Sequence, residues 1–318
     1  MGRNIVSISG GKDSGATYLF ALQSGIEFEA VFADTGNEHP ITLDYIREFS
    51  TLTGGPPIKW VKADFASQIK RKRSFIAYDQ RTRRDKKNRK VRWSNKAKRR
   101  SIPLLDSTGN PFVDLCLYKG RFPSTRRRFC SEELKHEPIY YQAHEPLLEQ
   151  GLRVVSWQGV RADESPDRAL LPYRERVGGG LFIYRPILHW SVDEVLAIHK
   201  RHNIPLNPLY TMGCSRVGCM PCIHAGKEEL RNIAWRFPEV IDRIQEWERI
   251  VGMASKRGVS TFFSADKTPG PHKTNHNLKM PGVREVVKWS RTVRGGRQYD
   301  LMAIGPQNRC SSVYGLCE

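Results

Sequence analysis

The chain has 318 residues, 39% of them apolar and 10% aromatic, enough to bury a core as one large α/β domain or as two lobes. This composition excludes global disorder, and no apolar run approaches the roughly 20 residues that a bilayer-spanning helix needs. Lys and Arg number 52 against 33 Asp and Glu, a net charge of +19 that points to polyanionic partners. The start, Met1-Gly2-Arg3-Asn4, has no signal-peptide architecture, so a cytoplasmic protein with no membrane contact is expected.

Asn4 to Ile8 is a short β-branched run, followed by two glycines and a helical pattern from Ser14 to Gln23. Phe28 to Ala33 reads as a second strand, Ile41 to Leu52 as a second helix and Ile58 to Val61 as a third strand. Alternation at this spacing predicts an α/β fold with a doubly wound parallel sheet. The pattern then breaks. From Lys70 to Arg100 there are sixteen basic and two acidic residues, a net of +14, with no helix or strand period, whereas residues 1–69 carry five basic and eight acidic. Such a block is an electrostatic footprint for nucleic acid, because neutralised phosphates release condensed counterions. The alternative is a solvated charge run. Phe75, Tyr78 and Trp93 lie within it and could stack on bases.

Order is expected to return near Pro111. Residues 131–150 read as helix interrupted by Pro138 and Pro146, Arg153 to Val160 as a strand and Leu181 to Ile187 as an extended segment. Ser191 and Glu194 make a capping box that opens a helix running to His202. Helices are predicted again from Lys227 to Arg236 and from Pro238 to Lys256.

The segment Ser9-Gly10-Gly11-Lys12-Asp13-Ser14 sits directly between the first strand and the first helix. Gly10 and Gly11 let the backbone turn its N–H groups toward an anion, and the helix N-terminus adds about half a positive charge. Lys12 brings a mobile charge, and the hydroxyls of Ser9 and Ser14 bring further hydrogen bonds. The Walker A spacing is absent. The segment resembles the signature of the PP-loop ATP pyrophosphatases, which cleave ATP between its α and β phosphates. One departure is Gly15, where that family often has Ser or Thr.

Further along, Ala33-Asp34-Thr35-Gly36, Phe129-Cys130-Ser131, Leu134-Lys135, Gly159-Val160-Arg161, Glu164-Ser165 and Arg168 occur in the order of the phosphoadenosine phosphosulfate reductase family, a branch of the same superfamily. That resemblance covers about residues 4–250. It implies that Asp34 and Gly36 lie near the nucleotide, and Arg161 and Arg168 near its phosphates. On physical grounds alone, Asp163 or Ser165 could simply cap a helix.

Cys214-x4-Cys219-x2-Cys222 is metal-ligand spacing, with Gly213, Gly218 and Pro221 suited to a tight loop that aims thiolates at one point. By resemblance to sulfonucleotide reductases, Cys130 supplies a fourth thiolate, although those enzymes have adjacent cysteines there and this chain has Phe129. Four thiolates fit a [4Fe–4S] cluster. The rival is Zn²⁺, with Cys130 or His224 as fourth ligand. Cys116, in the apolar stretch Val113 to Leu117, reads as a core residue, and Cys310 and Cys317 form a C-x6-C that could include a persulfide-carrying or resolving thiol.

The predicted organisation is a PP-loop nucleotide-binding α/β domain over 1–190 with a basic insertion at about 68–110, a helical cysteine-cluster region over 191–260 and a basic C-terminal extension over 261–318. Retention of Lys12, Asp13 and Ser14 favours ATP with Mg²⁺ as substrate. The reading is an ATP pyrophosphatase that forms AMP and pyrophosphate, adenylating a nucleic acid (DNA ahead of RNA) for iron–sulfur-dependent sulfur incorporation. It resembles the corresponding component of DNA phosphorothioation systems. That resemblance implies a cysteine desulfurase as sulfur donor and further modification-system subunits as partners. The alternatives are an adenylyl sulfate or phosphoadenylyl sulfate reductase, and a non-catalytic, zinc-stabilised nucleic-acid binder.

Overall fold

The computed structural model describes residues 2–86, 88, 90–263 and 280–292. They form two compact units, one built from the residues up to Ala63 with Glu132–Met220, the other from Asp64–Ser131 with the described residues from Pro221 onward. Cys310 and Cys317, and most of the region 261–318, lie outside the described residues. No helix among the described residues is long and apolar enough to cross a membrane.

The first unit holds a six-stranded sheet of β1 (Gly2–Ile8), β2 (Phe28–Asp34), β3 (Ile58–Lys62), β4 (Arg153–Trp157), β5 (Arg174–Gly178) and β6 (Leu181–Tyr184). Its order is β3-β2-β1-β4-β6-β5. All neighbours run parallel except β5, which closes one edge antiparallel to β6. On one face, Val6, Ile8, Phe32 and Trp157 pack under α1 (Lys12–Gln23), α2 (Pro40–Thr53) and the helix Val192–Arg201. On the other, Ile5, Val31, Val61 and Val154 pack against Ile139, Ala143 and Leu147. Strands buried on both faces explain why β1 and β2 read as apolar runs rather than alternating ones. The predicted doubly wound sheet is thus present, with helices on each side.

Strand order reverses between β1 and β4. In such sheets the loops leaving the carboxyl ends of the two diverging strands part, and ligands bind in the crevice that this opens. The loop after β1 is Ser9–Gly11, and the one after β4 leads through Gly159 to Arg161.

Pro138 and Pro146 do not end the helical stretch that contains them. Each stands in the first two positions of a short α segment that follows a π turn, Glu132–His136 and Tyr140–His144 respectively. The wider π turn accommodates a residue that has no N–H to donate. β5 had no sequence signal: its burial is slight and it is rich in Arg and Gly.

In the second unit the expectation of an unstructured basic block is corrected. α3 (Ala66–Ala77) and α4 (Asn95–Ser101) run through it, followed by α5 (Pro111–Lys119). Sparse apolar anchors suffice: Ile69 and Ile76 are buried on α3, Ala97 on α4. Several of the cations bind carbonyl oxygens. Lys98 Nζ donates to Ala77 O and Asp79 O, and Arg100 to Met253 O and Ser255 O. Phe112, Phe122, Trp247 and Phe262 form this unit's aromatic core.

Candidate functional site

The phosphate loop leaves β1 with Gly10 at φ +77°, where a Cβ would come 2.7 Å from Thr42 Cγ2, so only glycine fits both the backbone and the space. Ser14 closes the loop on itself. Its Oγ accepts from Ser9 N at 3.0 Å and donates to Gly11 O at 2.9 Å. Gly11, the N-cap of α1, offers no side-chain cap, and the first N–H of the helix, that of Lys12, is met instead by Tyr210 Oη at 3.0 Å.

Lys12, Asp13 and Arg161 form one buried ionic group. Asp13 Oδ2 lies 3.0 Å from Lys12 Nζ, and Asp13 Oδ1 accepts from Arg161 Nε at 2.5 Å. Lys12 is 6% and Arg161 4% exposed. A single carboxylate thus orients two cations at the helix start. Gly159 lies flat against this turn, since a Cβ there would sit 2.8 Å from Asp13 O. Arg168 is placed differently: it pairs with Glu164 on a partly exposed turn, and Ser165 caps that turn by accepting from Arg168 N at 3.3 Å.

Two residues that sequence reading missed hold the loop from behind. Tyr210 Oη accepts from Lys12 N at 3.0 Å, and His199 Nε2–H donates to Lys12 O at 2.9 Å. Both side chains are buried, and burial lowers the His199 pKa, keeping the ring neutral. Gly15, the departure from the resembled signature, is where His199 packs: a Cβ would meet His199 Cε1 at 2.7 Å. Nothing local marks these partners, which lie 187 and 198 residues along the chain.

At the carboxyl end of β2, Asp34 Oδ1 accepts from Gly36 N at 2.9 Å. Beside it Glu38, a third missed residue, is 6% exposed and accepts from Thr35 Oγ1 at 2.6 Å and Thr35 N at 3.1 Å. Burial pushes its carboxyl above the ordinary range. The Cys219 thiol donates to Glu38 Oε1 at 3.7 Å and lies 3.4 Å from Thr35 Oγ1, while Met220 N donates to Asn37 O. The segment 210–220 is therefore stitched to the loops after both β1 and β2, through Tyr210 at one end and Cys219 at the other.

Cys214 and Cys219 belong to the first unit, Cys130 and Cys222 to the second. Four thiols are the right donor chemistry for an iron–sulfur cluster or zinc. Among the described residues, however, no group of three or more His, Cys, Asp or Glu side chains is gathered closely enough to hold a metal ion. Cys116 is fully buried, and burial, with a smaller contribution from Cys130, pushes its thiol well above the ordinary range. It is a core residue.

The family model for the phosphoadenosine phosphosulfate reductase domain matches residues 3–225. The 37.8 kDa protein of the gpa 5′ region of Escherichia phage 186 is 46% identical over 99% of this chain and 96% of its own length. An adenosine 5′-phosphosulfate reductase of Neisseria meningitidis serogroup B is 30% identical, and the match covers 42% of this chain and 61% of that enzyme. A phosphoadenylyl-sulfate reductase structure from Candida auris has 17% identity and a TM-score of 0.39, covering 69% of this chain and 82% of its own.

Proposed function

This chain belongs to the phosphoadenosine phosphosulfate reductase domain family, and we propose that it is an ATP pyrophosphatase that adenylates a nucleic-acid substrate for sulfur incorporation. The observation that carries this reading is the buried Lys12–Asp13–Arg161 group at the start of α1, in the crevice where strand order reverses. Charge developing on a departing pyrophosphate would meet donors already oriented, which is where preorganised electrostatics lower a barrier most. In this reading Ser9, Gly10, Gly11 and Ser14 cradle the β and γ phosphates. Lys12 and the helix start stabilise the leaving group. Asp13 holds Lys12 and Arg161 in place, and a Mg²⁺ accompanying ATP would supply further positive charge to the phosphates. Asp34 and Gly36 border the nucleoside.

The sulfur step is the finer part of the proposal. Cys130, Cys214, Cys219 and Cys222 would hold a [4Fe–4S] cluster, with Zn²⁺ as the alternative metal, and a bound cluster would supply electron transfer to sulfur. The attachment of Cys219 beside the loop after β2 supports thiol chemistry near the nucleotide. Nucleic acid, DNA ahead of RNA, is the acceptor that the +14 segment supports. A cysteine desulfurase would be the sulfur donor, with further modification-system subunits as partners, in the cytoplasm.

A second reading, reduction of adenylyl sulfate or phosphoadenylyl sulfate, is favoured by the likeness to the neisserial reductase. One experiment separates the two. Anaerobic protein is incubated with Mg²⁺ and ATP, or with adenylyl sulfate and a thiol reductant, and the nucleotides and sulfite are quantified. AMP and pyrophosphate from ATP are expected. ADP and phosphate would defeat the pyrophosphatase assignment, and sulfite without ATP turnover would establish the second reading instead.

A further inference from the structure

The second unit contains a cleft of about 600 Å³ that the nucleotide site does not use. Its lining combines four basic residues, Arg71, Lys72, Lys119 and Lys256, with three aromatic rings, Phe75, Trp93 and Tyr118. No Asp or Glu contributes to it among the described residues. Its size is that of a small-ligand pocket rather than of a protein interface. Cations without carboxylates select an anion, and the exposed Phe75 ring selects a flat, π-bearing partner. A nucleotide unit combines both properties.

The cleft is built rather than incidental. Phe75 is 51% exposed, yet its ring is fixed by the Arg81 guanidinium, 4.7 Å from its centroid. Arg81 is not part of the cleft wall. It is clamped in turn by the buried Asp79, whose Oδ1 and Oδ2 accept from Arg81 Nε at 2.8 Å and Nη2 at 3.1 Å. Asp79 also accepts from Trp93 N at 2.8 Å, so one carboxylate positions two of the three rings. Those Arg81 hydrogen bonds, followed by those from the backbone, hold the Asp79 carboxyl far below its usual range, and the clamp stays ionised in neutral solution. The floor is fixed too. Lys72 Nζ donates to Leu117 O and Tyr118 O at the end of α5, and burial lowers its pKa to about 8. Lys256 Nζ donates to Lys90 O and Val91 O, which ties the loop before Trp93 to the far wall.

We propose that this cleft binds one unpaired nucleotide of a single-stranded segment, its base against Phe75 and its phosphate on Arg71. The proposal rests on the nucleic-acid part of the reading above. Single strands are specified because base faces are hidden in a duplex and available to aromatic side chains only when unpaired.

The test uses the full chain with a short fluorescent DNA strand, titrated by anisotropy over a range of salt. Phe75→Ala should weaken binding by about fivefold or more, the low end of what one stacked base contributes. Arg71→Gln should lower the slope of log affinity against log salt by about 0.7, the value for one phosphate contact on a single strand. Arg47→Gln, an exposed cation of α2 in the other unit, should leave both unchanged, and ATP cleavage without nucleic acid should be the same in all three. A fully paired duplex of the same sequence should bind more weakly and ignore Phe75→Ala. Arg71 is exposed on α3, so Arg71→Gln carries the test even if Phe75→Ala melts early. If both cleft variants bind the strand as the parent does, the cleft proposal fails while the nucleic-acid reading stands. Competition by polyglutamate as effective as that by DNA also overturns it, since charge alone would then explain binding. If the parent cleaves ATP but binds no strand at low salt, the nucleic-acid reading itself falls.

Discussion

The phosphate loop and the basic segment both depend on Lys and Arg, but they use them in opposite ways. In the loop, two buried cations share one carboxylate, and their geometry is set before any ligand arrives. In the basic segment the cations divide. Lys72, Lys98 and Arg100 are spent on backbone carbonyls, whereas Arg83, Lys86, Arg92, Lys96 and Arg99 are exposed. Net charge along the sequence therefore overstates what a polyanion would meet, because part of it is internal structure. A solvated cation near a protein surface gains little from one partner, while a desolvated one left without its partner is costly.

The largest effect is expected at the loop. Asp13→Ala removes the carboxylate that Lys12 and Arg161 share and leaves Arg161 only Asp163 Oδ2 at 3.5 Å, so AMP formation from ATP should fall at least about hundredfold through lost positioning. Stability should fall by about 3 kcal/mol, as when one partner of a buried pair is removed, measured by urea unfolding. Retained ATP cleavage in a folded Asp13→Ala protein would show that the loop does not work through this ionic group.

The basic segment should respond according to which cations are removed. Changing Arg83, Lys86, Arg92, Lys96 and Arg99 together to Ser should weaken nucleic-acid binding and flatten its salt dependence, by about 0.7 in slope for each single-strand phosphate that is no longer neutralised. Unfolding should hardly change. Lys98→Ala with Arg100→Ala should do the reverse, lowering stability by about 1.5 kcal/mol or more through unmet carbonyls while barely moving the salt slope. Equal behaviour of the two sets would erase the distinction between surface and structural cations.

Smaller effects probe the residues that support the loop. Gly15→Ala should cost about 1–3 kcal/mol by overpacking against His199, and His199→Ala should relieve much of that cost in the double variant. Additive losses would mean that the two sites do not touch in solution. Ser191→Ala should cost only about 1 kcal/mol, the usual value of a helix N-cap, since it removes the hydroxyl that accepts from Glu194 N at 3.3 Å. A melting temperature equal to that of the parent would show that the cap does not contribute.

Local signals carried much of the fold. The strand–glycine–helix junction at Ser9–Ser14, the alternation through β3 and the Ser191 capping box are all present as read, because each depends on residues a few positions apart. The antiparallel edge strand β5 was missed because an exposed, Arg- and Gly-rich strand buries too little to leave a pattern. The helices α3 and α4 were missed because one or two apolar anchors per helix vanish among the surrounding cations.

At the site, the sequence by itself determined the phosphate loop, its glycines and the candidate acidic and basic groups, since the backbone turn and the helix dipole follow from neighbouring residues. Only the tertiary structure decided that Arg161 meets Asp13 rather than solvent, that His199 and Tyr210 brace Lys12, and that Cys219 lies beside Glu38. These pairings join residues up to 198 positions apart, and no local pattern encodes them. They exist because parallel crossovers bring the carboxyl ends of distant strands to one edge of the sheet. There, burial makes an unpartnered charge or polar hydrogen costly.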